Sequence, residues 1–350
     1  MQIRSKRDIL LCALASIAIT VFVFSPRLWV MRHYMPGTFQ WDRAHTYLLQ
    51  CEAPLRRDIE PAMLWRLLVP FACHTAGLSG KAPLLVPLAG VLALAIYGVV
   101  LLRRRQADAR FVFGGSLLFT TTSGVLVPLH WFGMNDAWVW LAQLAVAFGS
   151  AFWAIPLACL LGPWVDERFI IGLPLALLVR AVERNERISW KGTAMIGLWL
   201  LPYAAVRIAC SLNPAEIQAT RGFLTYHLFS QTAMILPWAP IGWWMGLRGA
   251  WVPAAYAMNR RHLALGGVAL ATALVSLVLA ADISRSIAIL SPLALLGLFL
   301  FARDRPDLAP RFALGLGLFN LAIPAAHVVY TKFDLINPLV LELVRLLRGH

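Results

Sequence analysis

The sequence predicts an all-α, polytopic integral membrane protein: a single transmembrane domain over 1–350, with about 11 (10–12) transmembrane helices and a long first extracytoplasmic loop at 31–81 carrying surface helices. Three observations lead there. Of 350 residues, 60% are hydrophobic and 14% charged, against about 45–50% and about 25% in a soluble domain. Mean hydropathy is +0.70. Long apolar runs recur along the chain between short turns, and at roughly 20 apolar residues per crossing the composition suffices for about ten spans. A water-soluble enzyme, a disordered chain and a disulfide-stapled secreted module are excluded on these grounds.

The first element follows the basic start MQIRSKRD and runs from Ile9 to about Val30. It exits through Ser25-Pro26-Arg27 and has no A-x-A-like cleavage site, so it reads as an uncleaved span. Further apolar runs lie near 82–102, 111–130, 136–150, 152–165, 168–182, 192–211, 232–248, 262–281, 285–302 and 311–330. A shorter run, 334–347, is a last span or an interfacial helix. Segment 61–79 decides the topology. It carries Arg66, Pro70 and His74, which suit a helix lying on the outer surface better than one crossing the bilayer.

With that choice the basic clusters fall on one side: Arg4/Lys6/Arg7, Arg103–Arg105/Arg110, Arg180/Arg184/Arg187/Lys191, Arg248/Arg260/Arg261, Arg303/Arg305/Arg311 and Arg345/Arg348. Cytoplasmic loops accumulate Lys and Arg, so the N-terminus is placed in the cytoplasm and the chain in a bacterial-type inner (plasma) membrane. The net charge of +14 then reflects loop bias rather than nucleic-acid binding, for which no loop is long enough. Asp42, Asp58, Asp136, Asp166, Glu167, Asp282 and other acids collect on the opposite, outer side.

Chemistry is therefore sought on the outer side. Asp42 lies in QWDRAHTY, ahead of His45 and Tyr47; it is either a carboxylate tuned for proton abstraction or metal binding, or the N-cap of a helix beginning at Arg43. Arg56, Arg57, Asp58 and Glu60 read as a solvated charge run, although an arginine pair there also suits a lipid phosphate. In His130-Trp131-Phe132-Gly133-Met134-Asn135-Asp136, Gly133 permits a tight turn and Asn135 or Asp136 is expected to cap the next helix. Asp166-Glu167-Arg168 is a local ion pair or half of a site. Asp282 and Arg285, three apart, share a helical face; Arg285 either binds an anion through its fork or simply pairs with Asp282. None of the five cysteines forms a CxxC pair; Cys51 and Cys73 either pair in an oxidising compartment or stay free. No HExxH, P-loop, GxGxxG or GxSxG motif occurs. The fourteen tryptophans suit interface belts, and also sugar rings.

A first span, a long outer loop opening with an acidic residue, surface helices and then about ten short-looped spans resemble the GT-C superfamily of membrane glycosyltransferases. The resemblance is one of architecture, with one acidic position and no DxD or WWDYG-like signature. It implies sugar transfer from a polyprenyl-phosphate carrier at the extracytoplasmic face of the cell envelope, with Asp42 as catalytic base or metal ligand. It also implies carrier phosphate binding by Arg285 or Arg168. Asp166, Glu167, His45, Arg57, Asp282 and Asp136 complete the candidate substrate-binding set. The partners would be the polyprenyl-phosphate-linked sugar and membrane lipid. A divalent ion (Mg or Mn) is an optional cofactor, for which the sequence offers no ligand set. The competing class is a lipid or small-solute transporter or flippase of the inner membrane; no internal repeat supports it, and the notable charges sit at span ends rather than mid-span. A cysteine placed at position 104 is expected to react with a membrane-impermeant maleimide only after permeabilisation; labelling from outside would overturn the topology.

Overall fold

The computed structural model describes residues 3, 5–28, 39–56, 58–59, 63–187, 190–211, 225–259, 263–280 and 282–348. It is a mostly helical bundle. The helices used below are α1 (Lys6–Val23), α2 (Phe39–Glu52), α3 (Leu68–Thr75), α4 (Ala82–Arg105), α5 (Ala109–Thr120), α6 (Ser123–His130), α7 (Asp136–Phe148), α8 (Ala154–Val165), α9 (Arg168–Arg184) and α10 (Trp190–Ser211). After these come α11 (Ala239–Leu247), α12 (Trp251–Asn259), α13 (Leu263–Leu279), α14 (Ile283–Asp304), α15 (Ala309–Ala322) and α16 (Leu339–Arg348).

By length and composition, α4 and α14 are each able to cross a membrane, and the α5–α6 pair, bent by 56°, makes a third candidate. The remaining apolar helices are mostly shorter than the runs that encode them. Pro163 lies inside α8 and Pro174 inside α9, where each removes one amide from the ladder without ending the helix. Helix α3 has eight residues, about 12 Å at 1.5 Å per residue, too short to cross a hydrocarbon core of about 30 Å.

Contacts between turns define the two ends of the bundle. The amide of Ile3 donates to the carbonyl of Ala107 at 3.0 Å, so the turn after Arg103–Arg105 lies beside the N-terminus. Arg180 and Arg184 donate to the carbonyl of Gly149 at 2.8 and 2.7 Å, and Arg105 pairs with Glu183, which brings two more turns to this end. At the far end, a ring nitrogen of His130 meets the carbonyl of Ser25 at 2.8 Å. The amide of Ser25 donates to the carbonyl of Asn337, also at 2.8 Å. Helix α14 is buried over nearly its whole length and forms the core against α7, α9 and α12.

Three expectations are corrected. The apolar run 311–330 is not one helix: α15 stops at Ala322, and β1 (Ala326–Val329) pairs antiparallel with β2 (Lys332–Leu335) in a hairpin at the far end. The β-branched pair Val328-Val329 and the preceding Pro324 favour an extended backbone there. Arg345 and Arg348 follow that hairpin on α16, a ten-residue helix of about 15 Å, which does not carry them back to the N-terminal end. Arg248 is also not a loop residue. It is fully buried, with φ +52°, in the break between α11 and α12.

The surroundings of Arg248 explain its position. Its guanidinium donates to the carbonyl of Thr121 at 3.0 Å and also to those of Asn320 and Ile323. The first of these ends α5 and the other two end α15. Helix C-termini carry unsatisfied carbonyls and the negative pole of the dipole, so the arginine is held without a carboxylate. Its charged carbon lies 4.7 Å from the centre of the Phe24 ring.

Helix α15 lies unusually close to α5: a Cβ added at Gly317 would sit 2.6 Å from the carbonyl oxygen of Gly114. Small residues allow backbones to approach in this way. Gly317→Leu is expected to separate the pair and cost about 1–3 kcal/mol, read as a lowered unfolding temperature in detergent; an unchanged value would contradict this packing.

Candidate functional site

Four turns and one segment deliver charge to a single place at the far end. The first turn follows α6. Gly133 adopts φ +82°, and a Cβ there would meet Tyr47 Cβ at 3.1 Å and Ala44 Cα at 3.2 Å, so the turn is pressed against α2. It delivers Asp136 as the first residue of α7. Asn135 occupies the N-cap with no side-chain bond, and Asp136 does not cap either. Asp136 Oδ1 accepts from Arg285 Nε at 2.8 Å and from Arg168 Nη2. Capping, expected for this turn, gives way to ion pairing because two arginines from other elements compete for the carboxylate.

The second turn joins α8 to α9. Asp166 Oδ1 accepts from the Arg168 amide and Nε, each at 2.9 Å, and Oδ2 accepts from Nη2 at 2.7 Å. Arg66, just ahead of α3, reaches Asp166 Oδ2 at 3.1 Å and Glu167 Oε2 at 3.5 Å. The triplet is thus a local pair and also part of a wider set. Arg168 lies over the Trp140 ring at 5.5 Å, a cation–π contact.

Asp282 opens α14 as its N-cap and accepts from the Arg285 amide at 3.2 Å. The Arg285 guanidinium is not a private partner of Asp282. Its Nη1 lies 3.6 Å from Asp282 and its Nη2 3.7 Å from Asp166, both longer than the contact of its Nε with Asp136. The hairpin completes the site. Val328 donates its amide to Ser284 Oγ at 2.9 Å, which sets His327 Nε2 2.7 Å from Asp282 Oδ1. The Trp131 ring meets that of His327 edge-on at 3.6 Å.

Asp136, Asp166, Arg168, Asp282, Arg285 and His327 are all less than one-tenth exposed. Isolated charges so buried would be prohibitive, and only mutual pairing makes them tolerable. Burial alone raises the carboxyl of Asp166, yet Arg168 and Arg66 outweigh it and hold the group well below its usual 3.8. For Asp282, burial is outweighed by His327 and Arg285, with the same direction. Among the described residues five buried side-chain atoms of the cluster have no hydrogen-bond partner, and two of them, Asp136 Oδ2 and His327 Nδ1, lie in no ion pair either.

The candidate set divides as follows. Asp136, Asp166, Glu167, Arg168, Asp282 and Arg285 meet in this network. Asp42 lies inside α2, which begins at Phe39, so it is not the N-cap of a helix starting at Arg43; its side chain lies outside the described residues. His45 is exposed on the same helix. Arg57 and Glu60 lie outside the described residues, while Arg56 donates to Asp58 at 2.8 and 2.6 Å and holds that exposed carboxyl down at about 2. Two members were not singled out as site residues from sequence. Arg66 counted only as a reason for a surface helix, and His327 stood in an apolar run, where a lone imidazole was the available signal.

A divalent ion does not fit this donor set. No group of three or more His, Cys, Asp or Glu side chains among the described residues has the spacing for a metal, and the aspartates already face arginines. Beside the network, a cavity of about 590 Å³ lies between α3, α4, α7 and α8. Its walls are nearly all apolar, and it runs from Leu68, Val69 and Val165 at the charged end to Gly149 and Arg104 at the other. No protein-family model matches the chain, and neither does any curated protein or solved structure.

The network is expected to give way in acid, because its carboxyls are held below their usual range. Carboxyls whose folded pKa is depressed contribute stability that is complete above the unfolded value and lost as pH falls through the folded one. The unfolding temperature in detergent is therefore expected to be insensitive to these groups from pH 8 to about pH 5 and to fall below about pH 4. Release of their contribution already near pH 6, absent from an Asp166→Asn variant, would contradict the assigned pairing.

Proposed function

We propose that the chain is a membrane glycosyltransferase, crossing the bilayer about eleven times, that moves a sugar from a polyprenyl-phosphate carrier to an acceptor at the extracytoplasmic face. The observation that carries this reading is the buried Asp/Arg/His network with Asp136 Oδ2 and His327 Nδ1 unpaired. Buried polar atoms of native proteins rarely stay unsatisfied without a functional reason. The adjoining apolar cavity suits the chain of a lipid carrier, since such sites are mainly apolar with a few convergent polar groups.

In this scheme Asp42 accepts the proton of an acceptor hydroxyl as its oxygen attacks the anomeric carbon. The bond from that carbon to the carrier phosphate breaks, and the phosphate leaves with the lipid. Arg285 offers the freer donors, because both its Nη contacts exceed 3.5 Å. Arginine at that position offsets the charge that develops on the leaving group. Helix α2 packs on the Gly133 turn that delivers Asp136, which supports placing Asp42 on the site side of the bundle.

Transport of a lipid or small solute is the second reading, favoured by the breaks between α5 and α6 and at Arg248, since transporters bind substrates at interrupted helices. Transfer of a labelled sugar from polyprenyl-phosphate donors in membranes separates the two. Asp42→Asn is expected to abolish transfer while the protein still folds and inserts, and Arg285→Lys to reduce it at least tenfold through loss of the fork. Full activity in Asp42→Asn would end the claim for that residue; no transfer by the wild type over a broad donor panel would favour transport.

A further inference from the structure

Helices α2 and α3 meet through a small polar cluster outside the charged network. Cys51 and Cys73 are each 1% exposed. The hydroxyl of Tyr47 lies 3.4 Å from Cys73 Sγ and donates to the carbonyl of Pro83 at 3.1 Å. A ring nitrogen of His74, the residue after Cys73, lies 3.2 Å from the carbonyl of Cys51, so the residue beside one cysteine reaches the backbone of the other. Helices α2 and α3, which carry the two thiols, pack against each other, and both cysteines belong to the same buried core. Both are free in this structure.

We infer that Cys51 and Cys73 are joined by a disulfide in the mature protein, locking the helix that carries Asp42 to the helix that follows Arg66. The inference rests on the extracytoplasmic placement of residues 31–81 proposed above, because such bonds persist in oxidising compartments. The reaction is exchange with a disulfide-donor protein of that compartment. Two S–H bonds break and one S–S bond forms between Cys51 and Cys73. Two electrons and two protons pass to the donor, whose own disulfide becomes a dithiol. Burial pushes the Cys51 thiol up to about 12, and a thiol rather than a thiolate is a poor nucleophile. Oxidation therefore belongs to the period before α2 and α3 close on each other.

The test counts thiols in the full-length protein purified from membranes without reductant. After denaturation, a polyethylene-glycol maleimide is expected to add two more labels when reductant is supplied first. That gain is expected to vanish in both Cys51→Ala and Cys73→Ala. Ser79→Cys, at an exposed position, reports the compartment through an impermeant maleimide on intact cells. Equal labelling with and without reductant, together with Ser79→Cys labelled from outside, overturns the disulfide and leaves the topology standing. Equal labelling with Ser79→Cys protected overturns both. A gain that survives in the single variants assigns the bond to other cysteines and also overturns the inference.

Discussion

The far end of the bundle depends on one carboxylate. Asp136 bridges Arg168 and Arg285, and through them the turns before α7, α9 and α14 become mutually dependent. None of these turns could bury its own charge alone, because desolvation of an unpaired ion costs several kcal/mol. The interlock also reaches outward. Arg66 ties the segment before α3 to Asp166, and His327 ties the hairpin to Asp282. A position that sequence alone reads as a helix cap is thus the hub of the site, and the helix it starts forgoes a side-chain cap.

Much of the site was legible because charge is rare in this chain. With 14% charged residues, an Asp-Glu-Arg triplet or an Asp and Arg three apart at the end of an apolar run stands out, and the charge bias placed such residues on one side. Periodicity could not show which carboxylate meets which arginine. The partners of Asp136 come from 32 and 149 residues away, a distance set by topology alone. His327 ranks as a weak candidate for a related reason: the run around it is apolar enough to read as helix, whereas a strand is needed to bring it over Asp282.

The number of full-length helices was the least legible feature. Hydropathy sums over a window and does not register where hydrogen bonding stops, so 111–130 reads as continuous although it bends between Thr120 and Ser123. Arg248 was misplaced for the same reason. A cation at the edge of an apolar run ordinarily marks a loop, but three carbonyl groups in this structure substitute for the water such a loop would offer.

Arg248 also sets an order of events. Two of its three acceptors, Asn320 and Ile323, are translated some seventy residues after it. Until that stretch is made, the segment 239–259 carries an uncompensated cation that an apolar interior does not accept cheaply. The segment can pack fully only when the later helix arrives. The last third of the chain then folds as a cooperative unit rather than helix by helix.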